Sequence, residues 1–333
     1  MRSPIPLAVA VVLIVLLGAD LASRYLGAAA DAAPTFVASA KPLSADEKLA
    51  QYSLLDTTKV LNLKKHYIVD FRELKEQLLA LQKTVPFKSY IYVSYLNNSA
   101  WVGIDERDSF FAASQVKIPL AMATYKAIEN GILTPETEYT LTPEDLNGDF
   151  GELYKKGPGT TIALKDLLHL MLSQSDNTAM EAIRSIFARV GVQDPMDDVY
   201  ANLGWDFLPT IESGTDPSQD QNYRKISVKV LANMFLALYS GAYLNLDHSQ
   251  AILADLTKTP FDTQLDAGVP KDIPVAHKVG VATAYDTFSD CGIVYAPSRN
   301  YLVCVGVEGT DQAHADSYIS AVSKTVYDYI ISN

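Results

Sequence analysis

Histidine and cysteine are scarce in this chain, with five and two among 333 residues. The histidines, at positions 66, 169, 248, 277 and 314, make no HxxxH or HxH spacing, and no CxxC occurs. A zinc site therefore has no ligand pattern to rest on, and neither a metal nor a cofactor is expected. Basic charge is also short: 27 Lys and Arg stand against 39 Asp and Glu, a net charge of −12. Such acidity repels phosphate backbones and argues against nucleic acid as a partner. No internal repeat is present, and no low-complexity tract beyond one Ala-rich stretch. What the chain does have is apolar mass. At 48% hydrophobic and 20% charged over 333 residues, it can bury a large core in one or two domains.

The first 30 residues differ from the rest. Arg2 precedes an apolar run from Ile5 to Ala19, and the small residues Gly27 to Ala30 follow Asp20 and Arg24. A basic start, an apolar stretch and small residues make a signal-peptide pattern. Extended to Leu26, the run approaches the roughly 20 residues of a membrane span. Residues 1–30 are thus a cleaved signal peptide or an uncleaved anchor, with a buried core helix as the remaining alternative. Either of the first two sends the protein across a membrane, secreted or anchored facing outward. Residues 31–67 read as a stalk, with a capping box at Ser44–Glu47 that starts a short helix.

Residues 70–84 carry Phe71, Leu74, Leu78 and Leu81 on one helical stripe. Ser89–Tyr95 alternates as a strand, turns at Asn97-Asn98 and returns over Ala100–Ile104. From about 113 to 262 the pattern is mainly helical, with helices over 118–131, 164–172, 178–190 and 228–239. A loop rich in Gly, Pro, Asp and Ser separates the last two; loops this long in a compact domain are functional or disordered. Three strands close the chain, 275–283, 288–295 and 301–307, before a final helix from about 313 to 331. The expected fold is α/β (α+β): an antiparallel sheet flanked by helices, with an all-helical subdomain inserted. Cys291 and Cys304 fall in the last two strands; if these pair about the turn Pro297–Asn300, the cysteines share a face at a diagonal. They could be bonded or simply small buried residues.

Three short motifs carry chemistry. In Ser114-Gln115-Val116-Lys117, serine and lysine three apart at a helix start share a face. A desolvated lysine can take the proton of the serine hydroxyl, and the free N–H groups of the first turn favour an oxyanion beside it. Ser175-Asp176-Asn177 enters another helix: it is either a helix cap or a proton-relaying hydroxyl followed by an orienting amide. His277-Lys278-Val279-Gly280 lies on a strand. Its lysine either blunts an exposed edge or receives a substrate carboxylate, with Gly280 letting substrate lie close.

Ser-x-x-Lys, Ser-Asp-Asn and Lys-x-Gly in this order resemble the signature of the class A β-lactamases and penicillin-binding proteins. Phe111–Leu120, Leu167–Ala179 and Gly292–Pro297 extend the likeness, and the separations of 61 (175 − 114) and 164 (278 − 114) are similar to class A. The resemblance covers residues 68–333. It implies a β-lactamase/transpeptidase-like fold with Ser114 as nucleophile, Lys117 assisting its deprotonation and Ser175 passing a proton to the leaving nitrogen. It further implies that Asn177 holds the substrate amide, that Lys278 binds its carboxylate, and that the N–H groups of Ser114 and Val281 form the oxyanion hole. The substrate class implied is a β-lactam or a D-alanyl peptide, taken by a monomer that meets the membrane only through its N-terminal segment.

Two positions depart from the pattern. Val279 stands where the family has Thr or Ser, which removes a hydroxyl that would bind substrate carboxylate. No Glu-x-x-Leu-Asn is present; Glu212, with Asp216 four residues on, is either the deacylation base or a solvated loop carboxylate. The resemblance therefore implies a β-lactamase-like serine hydrolase if Glu212 acts. A D-Ala-D-Ala peptidase or slow-deacylating penicillin-binding protein follows if it does not. A silent cell-wall-binding module follows if Ser114 is inert.

Overall fold

A computed structural model describes residues 51, 53, 54, 68, 70–203 and 225–333. The chain divides into two units, Met1–Glu47 and Lys48–Asn333, and every described residue belongs to the second. The N-terminal apolar run, the Ser44–Glu47 capping box and the loop with Glu212 and Asp216 lie outside the described residues.

The β-branched and aromatic runs at the two ends of the domain meet in one sheet. Strand β1 (Lys88–Tyr95) turns back into β2 (Ala100–Ile104), and the C-terminal strands β7 (Val275–Ala282), β8 (Thr287–Val294) and β9 (Tyr301–Glu308) complete it in the order β2-β1-β9-β8-β7, antiparallel throughout. Alternation sorts the side chains to two faces. Ile91, Val93 and Tyr95 join Val303, Val305 and Val307 in one core with helices α1 (Arg72–Gln82) and α8 (Gln312–Ser332), while Tyr90, Tyr92, Leu302 and Ile293 join the core of the inserted block. Both faces are buried, so the strands are apolar on both sides.

The inserted block contains α2 (Lys117–Glu129), α3 (Leu164–Ser173), α4 (Asn177–Arg189), α5 (Asp197–Asn202), α6 (Val228–Ser240) and α7 (Leu246–Leu256). Side chains fix where three helices start: Asp176 caps α4, Ser227 caps α6 and Asn245 caps α7. Gly241, at φ 60°, stops α6 in the left-handed conformation that favours glycine. The block is not wholly helical. Strand β3 (Phe110–Phe111) pairs with β6 (Lys225–Ile226), and β4 (Glu138–Thr140) pairs with β5 (Thr161–Ala163). Strands of two or three residues are too short to show a period, which is why the sequence pattern passes over them.

The cysteines correct an expectation. They are not diagonal: Cys291 lies directly opposite Cys304, and the two are disulfide-bonded. The register follows from a connection spanning 295–300, longer than the four-residue turn read from the sequence. On that sheet face Lys278, Cys291, Cys304 and Tyr92 form one row across four strands. The segment read as a stalk also touches the domain. The Leu54 N–H donates to Gln250 on α7 at 3.1 Å, and its carbonyl accepts from the Tyr295 hydroxyl at 2.8 Å.

Candidate active site

Strand β7 is an edge strand, and the turn before α2 packs against it. That turn, Ala113–Val116, is a 3-10 segment running straight into α2 at Lys117. In a 3-10 turn residues i and i+3 eclipse, which brings Lys117 Nζ to 2.9 Å from Ser114 Oγ. Lys117 is 1% exposed. Its Nζ also meets the Ser175 carbonyl at 2.7 Å, Asn177 Oδ1 at 2.6 Å and Ser175 Oγ at 3.2 Å. A carbonyl and an amide oxygen can only accept. They consume two N–H bonds of Lys117, and the lone pair of a neutral amine is then free to face Ser114. Burial pushes the Lys117 amine down to about 7, against the pull of Asp176.

Lys278, also 1% exposed, reaches Ser175 Oγ at 2.9 Å from the other side and its neighbour's carbonyl, Val279 O, at 3.4 Å. Burial, and then the charge of Lys117, hold its amine well below the ordinary lysine range. One serine hydroxyl thus sits between two buried lysines. Both Ala113 (φ 48°) and Ser175 (φ 55°) adopt left-handed backbone without being glycine. Such conformations cost about 1–3 kcal/mol each and persist where the surroundings enforce them.

Those surroundings are specific. Asp176 Oδ1 accepts the Ala179 N–H, and its Oδ2 accepts the N–H groups of Glu152 and Leu153 at 2.8 and 2.9 Å, fixing the loop that crosses in front of α4. The cap reading of Ser-Asp-Asn therefore holds, but Asp176 is the cap. Asn147 Oδ1 accepts from Asn177 Nδ2 at 3.3 Å. Gln115, fully buried, donates through Nε2 to the Lys278 carbonyl at 2.6 Å and to Ser289 Oγ at 3.2 Å. It ties the Ser114 turn to β7. Gly280 makes this approach possible: a Cβ there would stand 2.6 Å from Ser289 Oγ, 3.0 Å from the Ala112 carbonyl and 3.2 Å from Gln115 Cγ. Its small size serves the packing of the nucleophile turn against the strand. Two aromatic pairs flank the site, Phe111 stacked on the half-exposed Tyr285 at 4.3 Å and Phe150 edge-on to Phe261 at 6.2 Å, with Lys278 Nζ 5.9 Å from the Phe261 ring centre.

The structure thus gathers Ser114, Lys117, Ser175, Asn177 and Lys278 into one bonded cluster, with Gly280 behind it and Val281, partly buried, next along β7. Val279 is 6% exposed on the same strand. Glu212 lies outside the described residues.

The family model described as the β-lactamase enzyme family matches residues 73–330. The chain belongs to that family. It is 22% identical over 256 residues to β-lactamase VEB-1 of Pseudomonas aeruginosa, covering 66% of this chain and 77% of that one. Among solved structures, the fold matches PBP-A with a TM-score of 0.70 at 23% identity, over 81% of this chain and all of the other. A β-lactamase from Sphaerobacter thermophilus matches with a TM-score of 0.69 at 23% identity, over 80% and 99% of the two chains. A mutant of PBP-A, solved as an acyl-enzyme complex with penicillin G, matches equally well at 24% identity. The family and its fold are those the three motifs point to.

Gln115, Asn147, Asp290 and the two aromatic pairs were not singled out from the sequence. Two of these left a signal. Gln115 is a polar residue at a helix entry otherwise built of small and apolar ones, and Asp290 is a carboxylate inside an apolar strand run. Contacts such as Phe150 with Phe261, 111 positions apart (261 − 150), leave none.

Proposed function

We propose that this protein is a serine hydrolase that acylates Ser114 with β-lactams and then releases the acyl group to water. The observation that carries the reading is the 2.9 Å contact between Ser114 Oγ and a buried lysine whose amine sits at about 7, near the working pH of a general base. Ser114 Oγ attacks the lactam carbonyl carbon as its proton passes to Lys117. The resulting oxyanion faces the N–H groups of Ser114 and Val281. The carbonyl–nitrogen bond breaks as Ser175 hands a proton to the leaving nitrogen and is itself reprotonated from Lys117. Lys278 holds the substrate carboxylate, and Asn177 the side-chain amide. Water then attacks the acyl ester with Glu212 as base, restoring Ser114. The N-terminal apolar run and the Cys291–Cys304 bond support a place outside the cytoplasm, where disulfides persist.

A second reading, a penicillin-binding protein or D-alanyl peptidase with a persistent acyl-enzyme, is favoured by the lack of Glu-x-x-Leu-Asn and by Val279. A hydroxyl donated to a carboxylate is worth about 1.5–3 kcal/mol, so Val279→Thr should raise the acylation rate by roughly 10- to 150-fold.

The test is the intact mass of the purified protein over time after adding a penicillin, beside Ser114→Ala. The expected result is an adduct that forms and disappears, and none on Ser114→Ala. A lasting adduct moves the assignment to the second reading. An adduct on Ser114→Ala, or none on the folded wild type, sinks both.

A further inference from the structure

The side chain next to the nucleophile takes no part in the acylation steps, yet it is completely buried. Gln115 donates through Nε2 to the Lys278 carbonyl on β7 at 2.6 Å and to Ser289 Oγ on β8 at 3.2 Å. Ser289 is buried as well and stands opposite Gly280 in the register. A carbonyl oxygen only accepts, so the amide must turn its nitrogen to the strands. Its other end gains nothing: among the described residues, Oε1 has no partner. A buried acceptor left so costs stability, and a half-satisfied polar group serves a core less well than an apolar one. What the amide does provide is a tie between the residue after Ser114 and two strands of the sheet.

The turn needs such a tie. The Gln115 N–H closes it on the Ala112 carbonyl at 3.0 Å, and Ala113 between them is left-handed at φ 48°. A backbone strained in this way persists only where its surroundings hold it, and no side chain caps the turn at its start. Lys117 grips Ser114 Oγ from the α2 side; Gln115 grips the same turn from the sheet side. Gly280 sets how near the two can come. A Cβ there would already stand 3.0 Å from the Ala112 carbonyl and 3.2 Å from Gln115 Cγ, and the next residue along β7 is Val281. The turn that bears the Ser114 N–H is thus pulled onto the strand that bears the Val281 N–H, and the backbone at Gly280 stops it. Two N–H groups stabilise one oxyanion only when both lie about 2.7–3.1 Å from it. We propose that Gln115 is a positioning residue that sets the span of the oxyanion hole, its amide clamping the Ser114 turn to β7 and β8 at the spacing that lets both N–H groups reach one oxygen. This inference rests on the acylation of Ser114 proposed above.

The experiment compares wild type with Gln115→Met, which keeps the length of the side chain and loses both hydrogen bonds. Acylation by a penicillin is followed by intact mass after rapid mixing, over a range of penicillin concentrations. The same reaction is followed by rapid-mixing infrared spectroscopy, with carbon-13 at the lactam carbonyl to single out the acyl ester. Losing one oxyanion donor outright costs about 10²–10³ in rate. A hole that is loosened rather than emptied should slow acylation by roughly 10- to 100-fold, with the half-saturating penicillin concentration unchanged. The ester carbonyl band should move to higher wavenumber, because hydrogen bonds to that oxygen weaken the C=O bond and the variant makes them poorer. If Gln115→Met does not fold, Ser289→Ala removes one arm of the clamp and should shift rate and band in the same direction by less. A merely structural residue lowers the amount of folded protein and leaves the band of what remains in place, so an unmoved band overturns the proposal. A change confined to the half-saturating concentration overturns it too. A wild type that takes up no acyl group removes the proposed function and this inference together. A wild type that is acylated, matched by Gln115→Met in both rate and band, removes this inference alone.

Discussion

Ser114 is an ordinary hydroxyl until the chain around it removes water from Lys117. The folded protein therefore holds an amine that the unfolded chain would rather protonate, and this has a stability consequence with a definite sign. The Lys117 amine falls from 10.5 to about 7 on folding. Between those values the unfolded state binds more protons, so wild-type stability declines as pH drops through the window and the loss is complete below about 7. Lys117→Met removes the penalty. Its Tm should exceed that of the wild type by a margin that grows as pH falls from about 10 to 7 and is then constant. A margin independent of pH would mean that the variant acts by packing alone. Stability gained at the cost of activity is the usual trade at such sites. The strained backbone at Ala113 and Ser175 belongs to the same economy.

At the scale of elements, motifs were legible and partners were not. Ser114, Lys117, Ser175 and Lys278 could be read because each sits in a short pattern whose chemistry depends on spacing along the chain. The helices were legible from their apolar stripes, and α4, α6 and α8 begin and end within two residues of the bounds expected. The contacts that orient the site cross the chain instead. Gln115 reaches Lys278, 163 positions away, and Asn147 reaches Asn177 across a loop, and nothing local marks such pairs. The cysteines show the same limit: face and strand were readable, but register depends on loop length, which the turn residues alone do not settle. Bonded as direct neighbours 13 residues apart, they lie in the row that carries Lys278. Replacing both with alanine should lower stability by about 3 kcal/mol, measured by denaturant unfolding. An unchanged midpoint would show that the strands hold their register without the bond.

For the molecule as a whole, the domain begins earlier than the motif resemblance suggests. Leu54 bridges α7 of the inserted block and the far end of β8 through Gln250 and Tyr295, tying together the two parts between which the site lies. Two hydrogen bonds of this kind contribute about 1 kcal/mol each. A chain starting at residue 68 should therefore be less stable than one starting at residue 48 by about 2 kcal/mol. The double variant Gln250→Ala, Tyr295→Phe should reproduce most of that loss. Equal unfolding midpoints for the two starts would make the Leu54 contact incidental.

The pairing of β1 with β9 joins residues 88–95 to residues 301–308. Strand β1 thus waits for the central strand β9, about 200 residues further along the chain, and every partial chain that ends before β9 leaves β1 with one side unmatched. Pairings so distant in sequence make for slow folding, and the inserted block can collapse long before the sheet closes. Until β9 is available, β1 has only β2 beside it.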